Sequence, residues 1–352
     1  MIRSQVIAGI LSVCGFLNCC PTRVEAQEDK TATLKPVKLE TVKAHDRDVA
    51  AIAVSADGKW VATAGVDRPN MTHTVKLWKT IKTPMHTLKG FDRPATALDF
   101  TPDGSSLLVG GYDPEAKTGT VKIYDVATGK LRKTLTVGNQ PVERFALLDV
   151  GRSFVAGAGL NELKVWNVAS GESGQAIKLQ QSASASALAT SADRKHVAVG
   201  MFGSKVGHLA VYELESGKEL FRSEEKPGVN MIQAVAYAPD GKTIATSSVG
   251  FTKPGEVRLY EASTGKLLGS LGAQRSFTAA FSPDGKLLAT GESPGFGRRE
   301  PGAVNLFDVA AQKSLAALKG HQDGVSRVAF SPNGRHLYSG SSDGALIVWR
   351  LR

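Results

Sequence analysis

The stretch HQDGVSRVAFSPNGRHLYSGSSDGALIVW, residues 321 to 349, contains three short β-type runs separated by two tight turns. The runs VSRVAF, HLYSGS and ALIVW are rich in β-branched and aromatic residues, which favour strands. In the turn SPNG at 331–334, Pro332 supplies the φ of about −65° that a type I turn needs, and Gly334 suits the exit from the turn. SSDG at 341–344 makes the second turn. We therefore expect three antiparallel strands in this unit.

Looser copies of the same unit fill the chain from about residue 40 onward, and two columns align them. The turn after the first strand reads SADG at 55, TPDG at 101, LDVG at 148, SADR at 191, APDG at 238, SPDG at 282 and SPNG at 331. The aromatic residue that ends the third strand recurs every 42 to 48 residues, as Trp78, Tyr124, Trp166, Tyr212, Tyr260, Phe307 and Trp349. The sequence therefore predicts seven repeats.

A repeat of about 40 to 45 residues with four strands is typical of a β-propeller blade, whereas helical repeats of similar length need a 3.6-residue periodicity that is missing here. The chain resembles the WD-repeat β-propeller family, in an exported, bacterial-type form, over roughly residues 36 to 352. The turn column and the repeated His-Asp-Trp pattern carry this likeness. The resemblance implies an all-β fold in one domain, residues 36–352, with seven four-stranded antiparallel blades.

The N-terminal segment VKLETVKAH, residues 37–45, matches KSLAALKGH, which precedes the last three-strand unit. It therefore reads as a fourth, outer strand whose own blade lies elsewhere. Because the chain stops at Arg352, just after the third strand of the last unit, we expect the N-terminal strand to complete that blade and close the ring. Closure would remove two open sheet edges, which otherwise expose unpaired backbone groups.

Residues 1–26 have a basic residue, an apolar run from Val6 to Leu17 and a small-residue ending at Ala26, which is typical of a signal peptide. A membrane anchor is the alternative, but this apolar run is shorter than the roughly 20 residues of a spanning helix. Residues 27–35 read as a flexible leader. We thus expect a periplasmic or secreted protein without a membrane span after cleavage. The three cysteines all lie within the signal, so the mature chain would hold no disulfide.

Two sets of polar residues look like catalytic triads: His45, Thr63, Asp67 and Trp78, and His321, Ser339, Asp343 and Trp349. A triad needs a strained nucleophile turn and an oxyanion hole, and no motif of that kind is present. In the family that the chain resembles, matching residues form a buried hydrogen-bond relay, and two identical sets suit a repeated structural fastening. Blade two has Phe91 and Asp92 at the histidine position, which puts the relay in doubt there.

Five of the seven connections between second and third strands are long, and all are expected on one face of the ring. Loops on a rigid scaffold often carry binding residues, and exposed aromatic and arginine residues contribute most at interfaces. The candidate partner-binding residues in these connections are Phe202, Phe251, Lys253, Phe296, Arg298 and Arg299, joined by Arg93, Arg144 and Arg275 before the first strands. The alternative is that these loops vary only because nothing constrains them.

The chain has 43 basic and 33 acidic residues, a net charge of +10, which favours an anionic partner. No RNA-binding motif or metal-ligand spacing is present, so we expect no nucleic acid, metal or cofactor. The predicted function is a non-catalytic interaction scaffold that binds a protein or an anionic envelope polymer. The alternative is a propeller hydrolase or lactonase acting at the channel mouth. The first strands favour the scaffold, because they present mainly alanine, serine and threonine rather than converging carboxylates or histidines.

Overall fold

The computed structural model describes residues 34–79, 81–148, 151–159, 161–179, 185–203, 206–225, 228–250, 255–273, 275–293 and 299–351. These residues form 28 β-strands in seven four-stranded antiparallel sheets, within one compact unit that begins at Leu34. The prediction of an all-β propeller with seven blades is confirmed. The signal peptide at 1–26 and the leader at 27–35, apart from its last two residues, lie outside the described residues and stay predictions.

Each blade is ordered from an inner to an outer strand. Blade one consists of β2 (Arg47–Val54), β3 (Val61–Asp67), β4 (Thr72–Trp78) and β5 (His86–Phe91), and blade two of β6 (Leu98–Phe100), β7 (Ser106–Asp113), β8 (Thr118–Asp125) and β9 (Leu131–Gly138). Blade three consists of β10 (Phe145–Leu148), β11 (Ser153–Gly159), β12 (Glu162–Asn167) and β13 (Ile177–Lys178), and blade four of β14 (Ala185–Thr190), β15 (His196–Met201), β16 (His208–Glu213) and β17 (Glu219–Glu224).

Blades five to seven continue the same order. Blade five consists of β18 (Met231–Tyr237), β19 (Thr243–Val249), β20 (Glu256–Glu261) and β21 (Leu267–Ala273), and blade six of β22 (Ser276–Phe281), β23 (Leu287–Glu292), β24 (Ala303–Asp308) and β25 (Lys313–Lys319). Blade seven consists of β26 (Val325–Phe330), β27 (His336–Ser341), β28 (Ala345–Arg350) and β1 (Val37–Lys43).

The last blade is closed by the N-terminal strand, as the sequence predicted. Strand β1 pairs antiparallel with β28, in a register that runs from Val37 opposite Arg350 to Lys43 opposite Ala345. The first and last segments of the described chain therefore share one sheet. Ring closure joins both ends of the repeat array by backbone hydrogen bonds, and β1 covers the edge of β28 that would otherwise be open.

Seven apolar clusters hold the blades together, one at each seam. At the seam between blades seven and one, Trp78 is almost fully buried against Tyr338 and Leu346. The aromatic column thus fills the space between neighbouring blades, as the repeat pattern indicated. Burying a side chain of this size contributes roughly 2–3 kcal/mol, so the seams account for much of the stability of the ring.

The inner strands pack against the inner strands of the neighbouring blades and so surround a central channel. Small residues dominate them, because the strands crowd together near the axis. One repeat position holds alanine in six of the seven blades and Asp99 in blade two. Another holds alanine or threonine in five blades and arginine in two, at Arg144 and Arg327. Describing the first strands as mainly alanine, serine and threonine therefore passed over the charged side chains at these two positions.

Two of the connections expected to be long loops are instead extended hairpins. In blade one, β3 and β4 stay paired as far as Asp67 opposite Thr72. In blade two, β7 and β8 stay paired as far as Asp113 opposite Thr118. Only residues 68–71 and 114–117 are left to turn the chain. The strands continue because backbone pairing satisfies N–H and C=O groups that a loop would expose to solvent.

Candidate functional site

In blade one, the His-Thr-Asp-Trp set forms a continuous chain of polar contacts. Trp78 Nε1 donates to Thr63 Oγ1 at 2.9 Å, and Thr63 Oγ1 lies 2.9 Å from His45 Nε2. His45 Nδ1 lies 3.5 Å from Asp67 Oδ1. A further residue, Thr74, lies between the last two: its Oγ1 is 3.3 Å from His45 Nδ1 and donates to Asp67 Oδ2 at 2.6 Å. The sequence analysis did not include Thr74.

The geometry assigns the protons in this chain. The Thr74 hydroxyl donates its single proton to the Asp67 carboxylate, so its oxygen accepts from His45 Nδ1–H. Nε2 of the neutral ring then carries no proton and accepts from the Thr63 hydroxyl, which itself accepts from the Trp78 indole. Burial lowers the pKa of His45 to about 4, the Lys76 charge adds to this effect and the Asp67 carboxylate opposes it. The ring is neutral at physiological pH.

Blade seven holds a shorter version of the same chain. Trp349 Nε1 donates to Ser339 Oγ at 2.8 Å, Ser339 Oγ lies 2.7 Å from His321 Nε2, and His321 Nδ1 lies 3.4 Å from Asp343 Oδ2. Alanine occupies the position of Thr74, so the histidine faces the carboxylate directly. Burial alone would raise the pKa of Asp343, but the contact with His321 and two backbone N–H donors lower it to about 2.

The surroundings of these hydroxyls do not suit a nucleophile. Thr63 and Ser339 have no exposed surface, and the oxygen of each is already shared between an indole N–H and an imidazole. A nucleophilic hydroxyl must reach a substrate carbonyl. Both oxygens lie on the second strand of their blade and instead join a loop histidine to the aromatic residue of the third strand. That these contacts stabilise the fold stays a prediction.

Blades two and three lack this chain of contacts, and each shows why. In blade two, Phe91 packs 6.2 Å from the Tyr124 ring, and Lys122 Nζ lies 5.1 Å above the Phe91 ring. An aromatic and cation–π contact thus takes the place of the histidine. In blade three, Ala156 stands at the Thr63 position, and the buried Trp166 Nε1 has no hydrogen-bond partner within the described residues.

Blade five uses a buried ion pair that the sequence analysis did not identify. Arg258 Nη1 lies 2.8 Å from Glu225 Oε2, and both side chains are almost completely buried. Arg258 Nε also lies 3.0 Å from Glu256 Oε2. Glu225 lies in the connection between blades four and five, so this pair also fastens a loop to a blade. The only sequence signal was an arginine at the Lys76 position.

The upper face, defined here by the connections preceding the first strands and by the turns between second and third strands, carries a groove between blades two and three. The groove has a volume of about 360 Å³. It is lined mainly by apolar groups, including Pro94, Pro141 and Val142. At one side the Arg93 guanidinium lies 5.4 Å above the Tyr112 ring. Apolar walls beside a cation and an aromatic ring are typical of protein-binding surfaces.

The predicted partner-binding residues are dispersed around the ring. Arg93 is exposed at this groove, and Arg299 is exposed near blade six. Arg144 and Arg275 are half-buried. Phe202 is also half-buried, because its backbone forms a bridge with Met231. Four further candidates, Phe251, Lys253, Phe296 and Arg298, lie outside the described residues. Among the candidates that the structure describes, Arg93 alone lines this groove.

The mouth of the central channel on the upper face carries four charged side chains. Arg144 and Arg327 lie on or beside inner strands, and Asp48 and Asp323 lie in or beside the connections that precede them. Burial lowers the pKa of Arg327 to about 9; the charge of Arg144 adds to this effect, and that of Asp48 opposes it. Burial likewise raises the pKa of Asp48. The arginines therefore act on each other through the channel.

A larger cleft, of about 630 Å³, lies on the lower face between blades three and four. Its walls are the short turns at Arg194 and at Glu213–Gly217, together with the residues that lead into β13. Its charges are mixed in sign. The cleft adjoins residues 149 and 150, which the structure does not describe.

Within the described ranges, no group of three or more histidine, cysteine, aspartate or glutamate residues is placed to hold a metal ion. Likewise, no helix in that part of the chain is long and apolar enough to cross a membrane.

Comparison with known proteins gives repeat matches and several relatives. The family described as WD domain, G-beta repeat matches residues 36–79, 82–125 and 312–350. Each match runs from an outer strand through the first three strands of the next blade, for blades one, two and seven. The seven-bladed fold, the relay and these three matched repeats are similar to those of WD-repeat β-propellers.

Relatives with this kind of repeat are similar over part of the chain. Pre-mRNA-processing factor 19 homolog 2 of Arabidopsis thaliana is 30% identical over 125 residues, which are 34% of this chain and 22% of that protein. WD repeat-containing protein 91 of Xenopus tropicalis is 27% identical over 174 residues, 43% of this chain and 22% of that protein. Periodic tryptophan protein 2 of Saccharomyces cerevisiae is 28% identical over 122 residues, which are 34% of this chain and 12% of that protein. The matched part is less than a quarter of each relative.

Proposed function

We propose that this protein is a non-catalytic interaction scaffold that binds a protein partner on its upper face. The observation that carries the proposal is the groove between blades two and three, where Arg93 and Tyr112 stand beside proline and valine walls. An aromatic ring stacked under a guanidinium is already ordered, so binding costs it little conformational entropy. The rigid propeller holds both walls of the groove in place.

The chemistry of the relay residues supports the same proposal. The hydroxyl, histidine and carboxylate groups that resemble a catalytic set are buried or already bonded to one another in blades one and seven. One relative is named for pre-mRNA processing and another for its WD repeats, and neither name states a catalytic activity.

The test is photo-crosslinking in an extract of the native host. A photoreactive amino acid placed at Tyr112 is expected to crosslink one protein partner, and Arg93→Ala is expected to weaken that crosslink. The matched control places the same group at Arg335, which is exposed on the lower face. Equal crosslinking from both faces, or loss of the partner only in an unfolded variant, would contradict a site at this groove.

We also propose that the protein is exported, on the strength of the signal-like pattern of residues 1–26. The mass of the mature protein from its native host gives the N-terminus directly. Export predicts a chain that begins at Gln27. A protein that keeps Met1 or loses only the initiator methionine would rule out cleavage at this position.

A further inference from the structure

Two blades depart from the rest at one repeat position close to the upper mouth of the channel. Blades one, two, four and five carry the buried alanines Ala51, Ala97, Ala187 and Ala234, and blade six carries Thr278. Blades three and seven carry Arg144 and Arg327. A position that five blades fill with a small residue is crowded. Two long cations there are a departure from the packing pattern of the chain itself.

The two arginines belong to blades that are not neighbours. Strand β26 packs between β22 and β2, and β10 packs on β14, so the inner strands of blades three and seven are not packing neighbours. The charge of Arg144 nonetheless lowers the pKa of Arg327, so the two guanidinium groups are close enough to interact across the channel.

Neither guanidinium has a carboxylate partner in the described part of the chain. Arg144 Nη1 donates to the carbonyl of Glu143 at 2.6 Å, and Arg327 Nη1 donates to the carbonyl of Ser326 at 2.7 Å. No ion pair within 4.0 Å joins either of them to Asp48, Asp323 or another described acidic residue. Since guanidinium groups stay protonated in proteins, their partial burial leaves two positive charges that Asp48 offsets only in part.

We propose that the upper mouth of the channel is an anion site in which Arg144 and Arg327 together hold a side-chain carboxylate of the protein partner. The carboxylate enters along the axis of the ring and receives N–H donors from opposite sides. Asp48 and Asp323, at the rim, limit the positive field to the space between the arginines. This inference rests on the proposed scaffold function and specifies the chemistry of its partner: an acidic residue in an exposed segment.

A carboxylate suits this opening for two reasons. The guanidinium presents planar, forked donors that match carboxylate oxygens, and such charge-assisted hydrogen bonds are among the stronger ones in proteins. The two guanidinium groups also have no ion-pair partner among the described residues, so their remaining N–H donors are available to a carboxylate. The groove that contains Arg93 also includes Glu143, the neighbour of Arg144, so one extended segment can occupy both.

The experiment measures binding of a capped Gly-Glu-Glu-Gly peptide to the full chain by isothermal titration calorimetry at low salt, with Gly-Gln-Gln-Gly as its uncharged match. The variants are Arg144→Ala and Arg327→Ala, which restore the residue found in four other blades. Arg335→Ala, on the lower face of blade seven, is the matched control.

We expect the glutamate peptide to bind, the glutamine peptide not to bind, and each channel variant to lose about tenfold or more in affinity, with Arg335→Ala unchanged. Thermal unfolding supplies a second readout. Because each substitution removes a poorly compensated charge, both channel variants are expected to melt at a higher temperature than the wild type. A purely structural role for the arginines would lower it.

Two results would overturn the inference: no saturable binding of the glutamate peptide to the wild type, or equal binding by the double variant. Either result leaves the scaffold proposal intact if the Tyr112 crosslink persists. If that crosslink also fails, the scaffold proposal itself is wrong.

Discussion

At the scale of single residues, one residue type at one repeat position can have different roles in two blades. Thr63 in blade one and Thr290 in blade six occupy the same repeat position, and both are fully buried. Thr63 joins an indole to an imidazole. Thr290 lies in blade six, whose aromatic residue is Phe307 and offers no indole N–H. Its hydroxyl has no hydrogen-bond partner among the described residues. The neighbours, rather than the threonine, decide whether the hydroxyl stabilises the fold.

Replacing Thr63 by valine is expected to lower the free energy of unfolding by about 3 kcal/mol, because it leaves the Trp78 N–H and His45 Nε2 buried without partners. Denaturant unfolding followed by tryptophan fluorescence or circular dichroism measures the change.

The matched control is Thr290→Val, which makes the same change at the same position of a blade without the relay. It should be neutral or slightly stabilising, since it removes a buried hydroxyl that has no partner. Equal losses in the two variants would mean that the relay adds nothing beyond side-chain packing.

Asp99 is a second residue whose effect can be calculated from its position. Six blades carry alanine there, and burial raises the pKa of Asp99 to about 6. The pKa is higher in the folded state than the ordinary 3.8, so the ionisation of Asp99 opposes folding. Its cost to stability is zero below pH 3.8, grows between pH 3.8 and about pH 6, and is constant above that. Asp99→Ala is expected to raise stability by about 2 kcal/mol at pH 8.

The pH dependence of this gain separates it from a packing effect. In parallel denaturant titrations, the stability difference between Asp99→Ala and the wild type should stay constant from pH 8 to about pH 6 and then shrink between pH 6 and pH 4. A gain that is independent of pH, or a loss at pH 8, would show that the carboxylate is compensated in the channel.

At the scale of strands, β1 is the element on which closure depends. It contributes a seven-residue outer strand to a blade whose other strands are more than 280 residues away in sequence. Several of its side chains remain exposed, so its contribution comes mainly from backbone pairing with β28. The blade-three strand β13, with only two residues, shows that an outer strand elsewhere in the ring can be much shorter.

Deleting residues 27–43 is expected to lower the melting temperature sharply and to promote aggregation, because the edge of β28 is then open to other chains. Differential scanning calorimetry and light scattering report the two effects. Deleting residues 27–33 alone keeps β1 and should change neither. Similar behaviour of both deletions would refute the role of β1 in closing the ring.

At the scale of the whole molecule, the ring couples local titrations to global unfolding. Every blade packs on two neighbours, and the seam between blades seven and one contains residues from both ends of the described chain. The relays of blades one and seven lie at the two sides of this seam. A proton that disrupts one of them therefore weakens the contact that closes the ring.

Stability is expected to fall as the pH drops from 6.5 toward 4. The pKa of His45 is about 4 in the folded state and 6.5 by its ordinary value, so the unfolded chain takes up the proton first. The loss is about 1.4 kcal/mol for each pH unit in that window. It levels off below pH 4, where the folded state is also protonated.

The contribution of Asp343 appears at lower pH, between its ordinary 3.8 and its folded value of about 2. His45→Asn, which cannot titrate, is expected to remove the slope between pH 6.5 and 4 while leaving the one below pH 3.8. Chemical denaturation at half-unit pH intervals tests both windows. An unchanged upper slope in the variant would assign it to other histidines.

Much of the architecture was predictable because a propeller repeats short-range information. Turns such as SPNG, the alternating strands and the aromatic column are local patterns, and their recurrence counts the blades. The hairpin lengths in blades one and two were less accessible, because strand pairing beyond the expected turn depends on the partner strand. Of the candidate site, Arg93 was identified from the sequence, whereas Tyr112 was seen only as part of a long loop and Arg327 only as part of a first strand.

The sequence by itself determined seven blades, their turns, the relay residues at the two ends and the strand that closes the ring, since each of these follows from spacing along the chain. Only the tertiary structure decided that Thr74 stands between His45 and Asp67, that Glu225 pairs with Arg258, and that Arg144 and Arg327 act on each other. These contacts join residues whose separation in sequence carries no information. The closed ring brings them together because its blades share one axis and pack seam to seam.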